Sequence, residues 1–89
     1  MAASDEAELV RMINTSVNIN DCPSAFRYPR GNGLGIKIPA INETLSIGKG
    51  RIIKEGKKAA ILNFGARLQE CIKASEILLK KGVDISIID

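Results

Sequence analysis

One stretch of this sequence limits the possible folds more than any other. An apolar run, Ala60-Ile61-Leu62, is followed by Gly65, an amphipathic segment from Ala66 to Lys81, Gly82 and a second apolar run ending at Ile87-Ile88. That order reads as strand, helix, strand. Within the amphipathic segment Leu68, Cys71, Ile72, Ser75 and Leu79 fall on one side of a helix, and Lys80, Lys81 and Gly82 close it, with cations at the negative pole and Gly at C′. A strand–helix–strand unit returns parallel through a right-handed crossover, so Val83–Ile88 is expected beside Ala59–Phe64. The unbroken apolar run Ala60-Ile61-Leu62 predicts burial on both faces. Gly50–Lys54 reads as a further strand, joined to Ala59–Phe64 by Glu55-Gly56-Lys57-Lys58, a Gly-containing connection of hairpin length. The expected class is α/β, and residues 50 to 89 read as the opening of a doubly wound domain.

The preceding half has a different character. Ser4 followed by Asp5, Glu6 and Glu8 predicts a helix start, with Ser4 as N-cap and carboxylates at the positive end of the dipole. The helix should run to about Asn18, with Leu9, Met12, Ile13 and Val17 as its packing stripe. Asn18, Asn20, Asp21 and Pro23 break it, and Ser24–Tyr28 is expected as a short strand ending at Pro29. Gly31, Gly33 and Gly35 interrupt any regular element, and Lys37 to Ser46 shows no period. The boundaries drawn are therefore 1–38 for the end of one domain, 39–48 for a linker and 49–89 for the start of another.

Charge supports that division. Residues 1 to 36 carry three Lys/Arg against four Asp/Glu, and residues 37 to 89 carry ten against six. The excess Lys lies on turns and a helix face without interleaved aromatics, so no base-stacking platform accompanies it and nucleic acid is not an expected partner. Cys22 and Cys71 lie 49 positions apart in a chain without His, which excludes the usual zinc spacings and Cys–His nucleophiles and predicts reduced thiols. Residues 1–9 are acidic and lack the pattern of a secretory signal, and no apolar run reaches membrane-spanning length, so a cytoplasmic, membrane-free setting is expected.

The candidate chemistry is concentrated in Phe26-Arg27-Tyr28-Pro29-Arg30-Gly31-Asn32. Pro29 fixes its own φ and pushes Tyr28 toward an extended backbone, so the flanking arginines are placed before any ligand arrives. A guanidinium there can grip phosphate or carboxylate in bidentate fashion, and Gly31 and Gly33 let the backbone approach the bound group with its N–H donors. The competing reading is that both arginines form structural ion pairs in a tight turn. Gly31-Asn32-Gly33-Leu34-Gly35 lacks the spacing of a dinucleotide fingerprint, and Gly48-Lys49-Gly50 lacks the loop and hydroxyl of a P-loop. Gly65 is better explained by a tight strand-to-helix turn than by anion binding. No acid/base pair, metal cluster or partnered nucleophile is evident.

Four stretches together carry a resemblance. Met1–Glu6, Asp21-Cys22-Pro23-Ser24-Ala25-Phe26-Arg27-Tyr28-Pro29-Arg30-Gly31-Asn32-Gly33, Ile47-Gly48-Lys49-Gly50 and Ala60-Ile61-Leu62-Asn63-Phe64-Gly65 resemble, in order and spacing, the 1-deoxy-D-xylulose-5-phosphate synthases among the transketolase-like enzymes. The resemblance covers essentially the whole chain. It implies that residues 1–38 are the end of a pyrimidine-binding domain and that 49–89 begin the C-terminal transketolase domain. It also implies a homodimeric enzyme that uses thiamine diphosphate and Mg²⁺ to condense pyruvate with glyceraldehyde 3-phosphate, losing carbon dioxide. Arg30 matches the arginine that holds the phosphate of the acceptor aldehyde. Arg27 has no such counterpart, so a structural ion pair is expected for it. The diphosphate and metal site, the activating glutamate and the histidines of that family have no counterpart here, so the fragment alone is expected to be inactive. Cys22 stands where many relatives have Gly. The other function considered is a small non-catalytic interaction module whose arginine loop binds an acidic partner.

Overall fold

The computed structural model describes all 89 residues, Met1–Asp89. It is a small α/β structure with two helices and a three-stranded mixed sheet. The chain forms two compact units, Met1–Lys49 and Gly50–Asp89.

The first unit is built on α1, Glu6–Val17. Its N-cap is Asp5, not Ser4: Asp5 is extended (φ −155°) and its side chain accepts from the Glu8 N–H at 2.8 Å, satisfying one orphan donor of the first turn. Ser4 is instead buried. The helix also packs differently from its apolar pattern. Val17 is 73% exposed and Ile13 40%, whereas Ala7, Glu8 and Thr15 are buried. The reason is that α1 turns its polar side to the chain that follows it. Arg11 pairs with Glu8 at 2.8 Å and Glu43 at 3.0 Å, Asn14 donates to the Glu43 carbonyl, and Thr15 Oγ1 accepts the Leu45 N–H at 2.8 Å. The stretch 39–48, expected as a linker, thus contributes several of the polar contacts of α1.

Ser24–Tyr28 does not form a strand. One parallel bridge joins Ala2 and Arg27, and residues 21–38 are exposed throughout. Phe26 and Tyr28 are left exposed with no neighbouring strand beyond that bridge, and Pro29 has no N–H with which to extend a ladder.

In the second unit β1 (Ile52–Lys54), β2 (Ala59–Leu62), α2 (Leu68–Lys80) and β3 (Ile85–Ile88) follow in sequence, but the sheet order is β1-β3-β2. β2 and β3 run parallel, with Ala59 opposite Ile85 and Leu62 opposite Ile88, as the crossover rule requires. β1 and β2 do not form a hairpin. β1 pairs antiparallel with β3, Ile52 opposite Ile88, with an irregularity before Lys54. β3 takes the central place, which gives it two partners and leaves Ile87 fully buried at 0% exposure. The burial expected of the Ala60-Ile61-Leu62 run has moved with it: β2 is an edge strand, and Leu62 is 77% exposed.

α2 packs on β3 and buries Leu68 and Ser75. It begins at Leu68, later than Ala66, with no side-chain cap at Arg67. Its other end matches expectation: Gly82 (φ +76°) donates to the Leu79 carbonyl and Val83 to that of Leu78, both at 2.9 Å, the paired bonds of a Schellman ending. Leu79, however, lies on the exposed side.

Candidate functional site

The arginine loop belongs to the first unit, and its geometry follows from two fastenings onto residues 1–6. Before Arg30, the Arg27 N–H donates to the Met1 carbonyl at 3.0 Å and the Arg27 carbonyl accepts from Ala3 N–H at 3.2 Å. The Met1 nitrogen adds a 2.7 Å bond to the Ala25 carbonyl. Beyond Arg30, three successive N–H groups converge on the Glu6 carboxylate. Gly35 and Ile36 donate to Oε1 at 2.6 and 2.9 Å, and Leu34 donates to Oε2 at 3.0 Å. Gly35 adopts φ +78°, which turns neighbouring amides toward one point and makes the concave anion cradle known as a nest. Gly33 also lies against this carboxylate, since a Cβ there would stand 2.8 Å from Glu6 Oε1.

These donors hold the Glu6 carboxyl at about 2, well below its ordinary 4.5. The leading contribution is its own backbone N–H, followed by those of Leu34 and Ile36; Gly35, though nearest, contributes least. The glycines were read as allowing close approach to a ligand. In the structure the group that approaches at Gly33 is Glu6, a residue read from sequence only as a helix-dipole acid. The one sequence trace of this contact is the glycine spacing itself.

Between the two fastenings lie Tyr28, Pro29, Arg30 and Gly31, all exposed, with Tyr28 at 64%. Gly31 has no atom within 4 Å of where its Cβ would stand, so the loop tip is open around Arg30. No side-chain hydrogen bond or ion pair within the chain holds the guanidinium of Arg27 or of Arg30. The structural ion pair expected for Arg27 is therefore not formed; its fixed part is its backbone. What this arrangement offers chemically is an arginine on a tethered turn with its bidentate face available to an external phosphate or carboxylate.

Other polar groups are satisfied internally. At the carboxyl ends of β2 and β3, where open α/β sheets commonly bind ligands, Asn63 donates to Asp89 Oδ1 at 2.6 Å and to the Gly65 carbonyl at 2.8 Å. Arg51 grips Asp89 Oδ2 through Nε at 3.1 Å and Nη2 at 2.8 Å. Gly65 is buried in the strand-to-helix turn, at φ +92°. A surface depression lined by Asn14, Val17, Asn18, Ile41, Asn42 and Thr44 contains no charged group. Cys22 and Cys71 are free thiols. No group of three or more His, Cys, Asp or Glu side chains converges in the structure. No helix is long and apolar enough to cross a membrane.

The α/β unit beginning at Gly50, with β2 and β3 parallel around α2, has the layering of a transketolase-type terminal domain, and the sequence agrees. Residues 48–89 match the family described as transketolase, C-terminal domain. This segment is transketolase-like. The match supports a transketolase-like enzyme family, whose members generally use thiamine diphosphate with a divalent metal. It begins two residues before the second unit does. Arg30 lies outside the matched residues.

Proposed function

We propose that this chain is part of a 1-deoxy-D-xylulose-5-phosphate synthase and that Arg30 binds the phosphate of glyceraldehyde 3-phosphate, the acceptor that this enzyme condenses with pyruvate. The observation that carries the reading is Arg30 on a turn fastened on both sides, exposed and without a side-chain partner in its own chain. The transketolase-like segment at 48–89 supports the enzyme class. The run Arg27-Tyr28-Pro29-Arg30-Gly31 supports the particular member.

In this reading thiamine diphosphate, bound with Mg²⁺ by other parts of a homodimeric enzyme, supplies the carbanion chemistry. Arg30 contributes orientation. Its planar fork takes two phosphate oxygens at once, fixing the direction of the aldehyde as well as its affinity.

The test is a substitution in the complete enzyme. Arg30→Ala should raise KM for glyceraldehyde 3-phosphate roughly 10²-fold while leaving that for pyruvate within about twofold, since a charge-assisted pair is worth about 1.5–3 kcal/mol. Arg30→Lys should recover only part of the loss, because an ammonium is a point charge without the fork. Equal effects on both substrates would overturn the phosphate role.

A further inference from the structure

Arg30 is not held by any side chain of its own, yet a bidentate contact needs its backbone fixed to a fraction of an ångström. The loop that bears it has no regular secondary structure beyond one bridge, and residues 28–36 are exposed. Something must hold it. On the near side the backbone bonds of Arg27 to Met1 and Ala3 fix the entry. On the far side no backbone–backbone bond holds residues 31–38, and the contacts that fasten the exit are the three N–H bonds to Glu6. Glu6 itself stands in the first turn of α1, whose Asp5 cap and whose contacts to Glu43 and Leu45 keep it in place.

We propose that Glu6 is the positioning residue of this site: its carboxylate, seated in the Leu34–Ile36 nest, sets the exit of the loop and thereby aims Arg30 at its anion. The inference rests on the reading of Arg30 as the phosphate contact. Glu6 touches no substrate. A nest of this kind ordinarily binds an external anion; here the chain fills it with its own carboxylate, so recognition falls to the guanidinium.

The charge and both oxygens matter. Glu6→Gln keeps one carbonyl oxygen for Gly35 and Ile36 but turns an amide N–H₂ toward the Leu34 N–H, a donor facing a donor. Glu6→Ala removes all three acceptor contacts.

The experiment is steady-state kinetics on the complete enzyme with Glu6→Ala, Glu6→Gln, Arg30→Ala and the double variant Glu6→Ala/Arg30→Ala. Expected for Glu6→Ala is a rise of roughly tenfold or more in KM for glyceraldehyde 3-phosphate with KM for pyruvate nearly unchanged, as a loosened orienting group should give. Glu6→Gln should fall between it and the unaltered enzyme. Adding Glu6→Ala to Arg30→Ala should cost nothing further, because the aimed group is already gone. If Arg30→Ala is selective but Glu6→Ala is not, or if the two losses add in the double variant, the positioning role is wrong and the phosphate reading stands. If Arg30→Ala is itself without selective effect, both fall. Should Glu6→Ala fail to fold, Glu6→Gln and its combination with Arg30→Ala decide by the same criteria.

Discussion

Four backbone N–H groups, its own foremost, keep Glu6 ionised far into acid, with a pKa of about 2 against the usual 4.5. A carboxyl whose pKa is depressed by folding contributes stability that is complete above the ordinary value and is lost as pH falls through the folded one. Amide exchange at Leu34, Gly35 and Ile36, corrected for its intrinsic pH dependence, should therefore stay constant from neutrality to about pH 5 and rise between about 4.5 and 2. Glu6→Gln should remove that acid-side component; an unaltered rise in the variant would show that another group is responsible. The exposed turn that carries Arg30 was legible in the sequence because Pro29 and Gly31, which shape it, are its immediate neighbours. Glu6 was not, because its partner Ile36 lies 30 positions away and a first-turn acid already has a sufficient local explanation in the helix dipole.

Helices and strands were read more securely than their pairings. The 3.6-residue pattern of α2, its terminal cations and Gly82 are properties of neighbouring residues. The partner of β1 is not. A short connection between two strands ordinarily makes a hairpin, and nothing within residues 50–64 shows that β3 will enter between them. Gly56 is where the structure records it. A Cβ there would collide with the Ile85 backbone, while Ser86 Oγ accepts from the Gly56 N–H and donates to its carbonyl, each at 2.9 Å. Gly56→Ala should destabilise this unit by about 1–3 kcal/mol or more in urea unfolding, through overpacking against backbone that cannot move aside. Gly82→Ala meets no atom within 4 Å, so its cost should be confined to holding φ +76° with a side chain, about 1–2 kcal/mol. A smaller loss for Gly56 than for Gly82 would argue against the central place of β3. The misread face of α1 has a related cause: its apolar stripe announces a packing partner, but the contacts that form go to Arg11 and Thr15, whose partners Glu43 and Leu45 come from a stretch with no period of its own.

Over the whole molecule the transketolase-like match and the arginine loop fall on different units, so each half carries a separate part of the functional reading. The second unit also depends on one strand to an unusual degree. A chain ending at Asp84 retains β1 and β2 but leaves neither with a partner, since all sheet pairing runs through β3. Its far-ultraviolet circular dichroism should lose the sheet contribution while helical signal persists; protected amides in Ile52–Lys54 or Ala59–Leu62 would contradict this. The same topology sets the order of events during synthesis. β1 and β2 leave the ribosome with both edges bare, and the arrival of Ile85–Ile88 supplies a neighbour to both, so the growing chain has no half-paired sheet in which to wait.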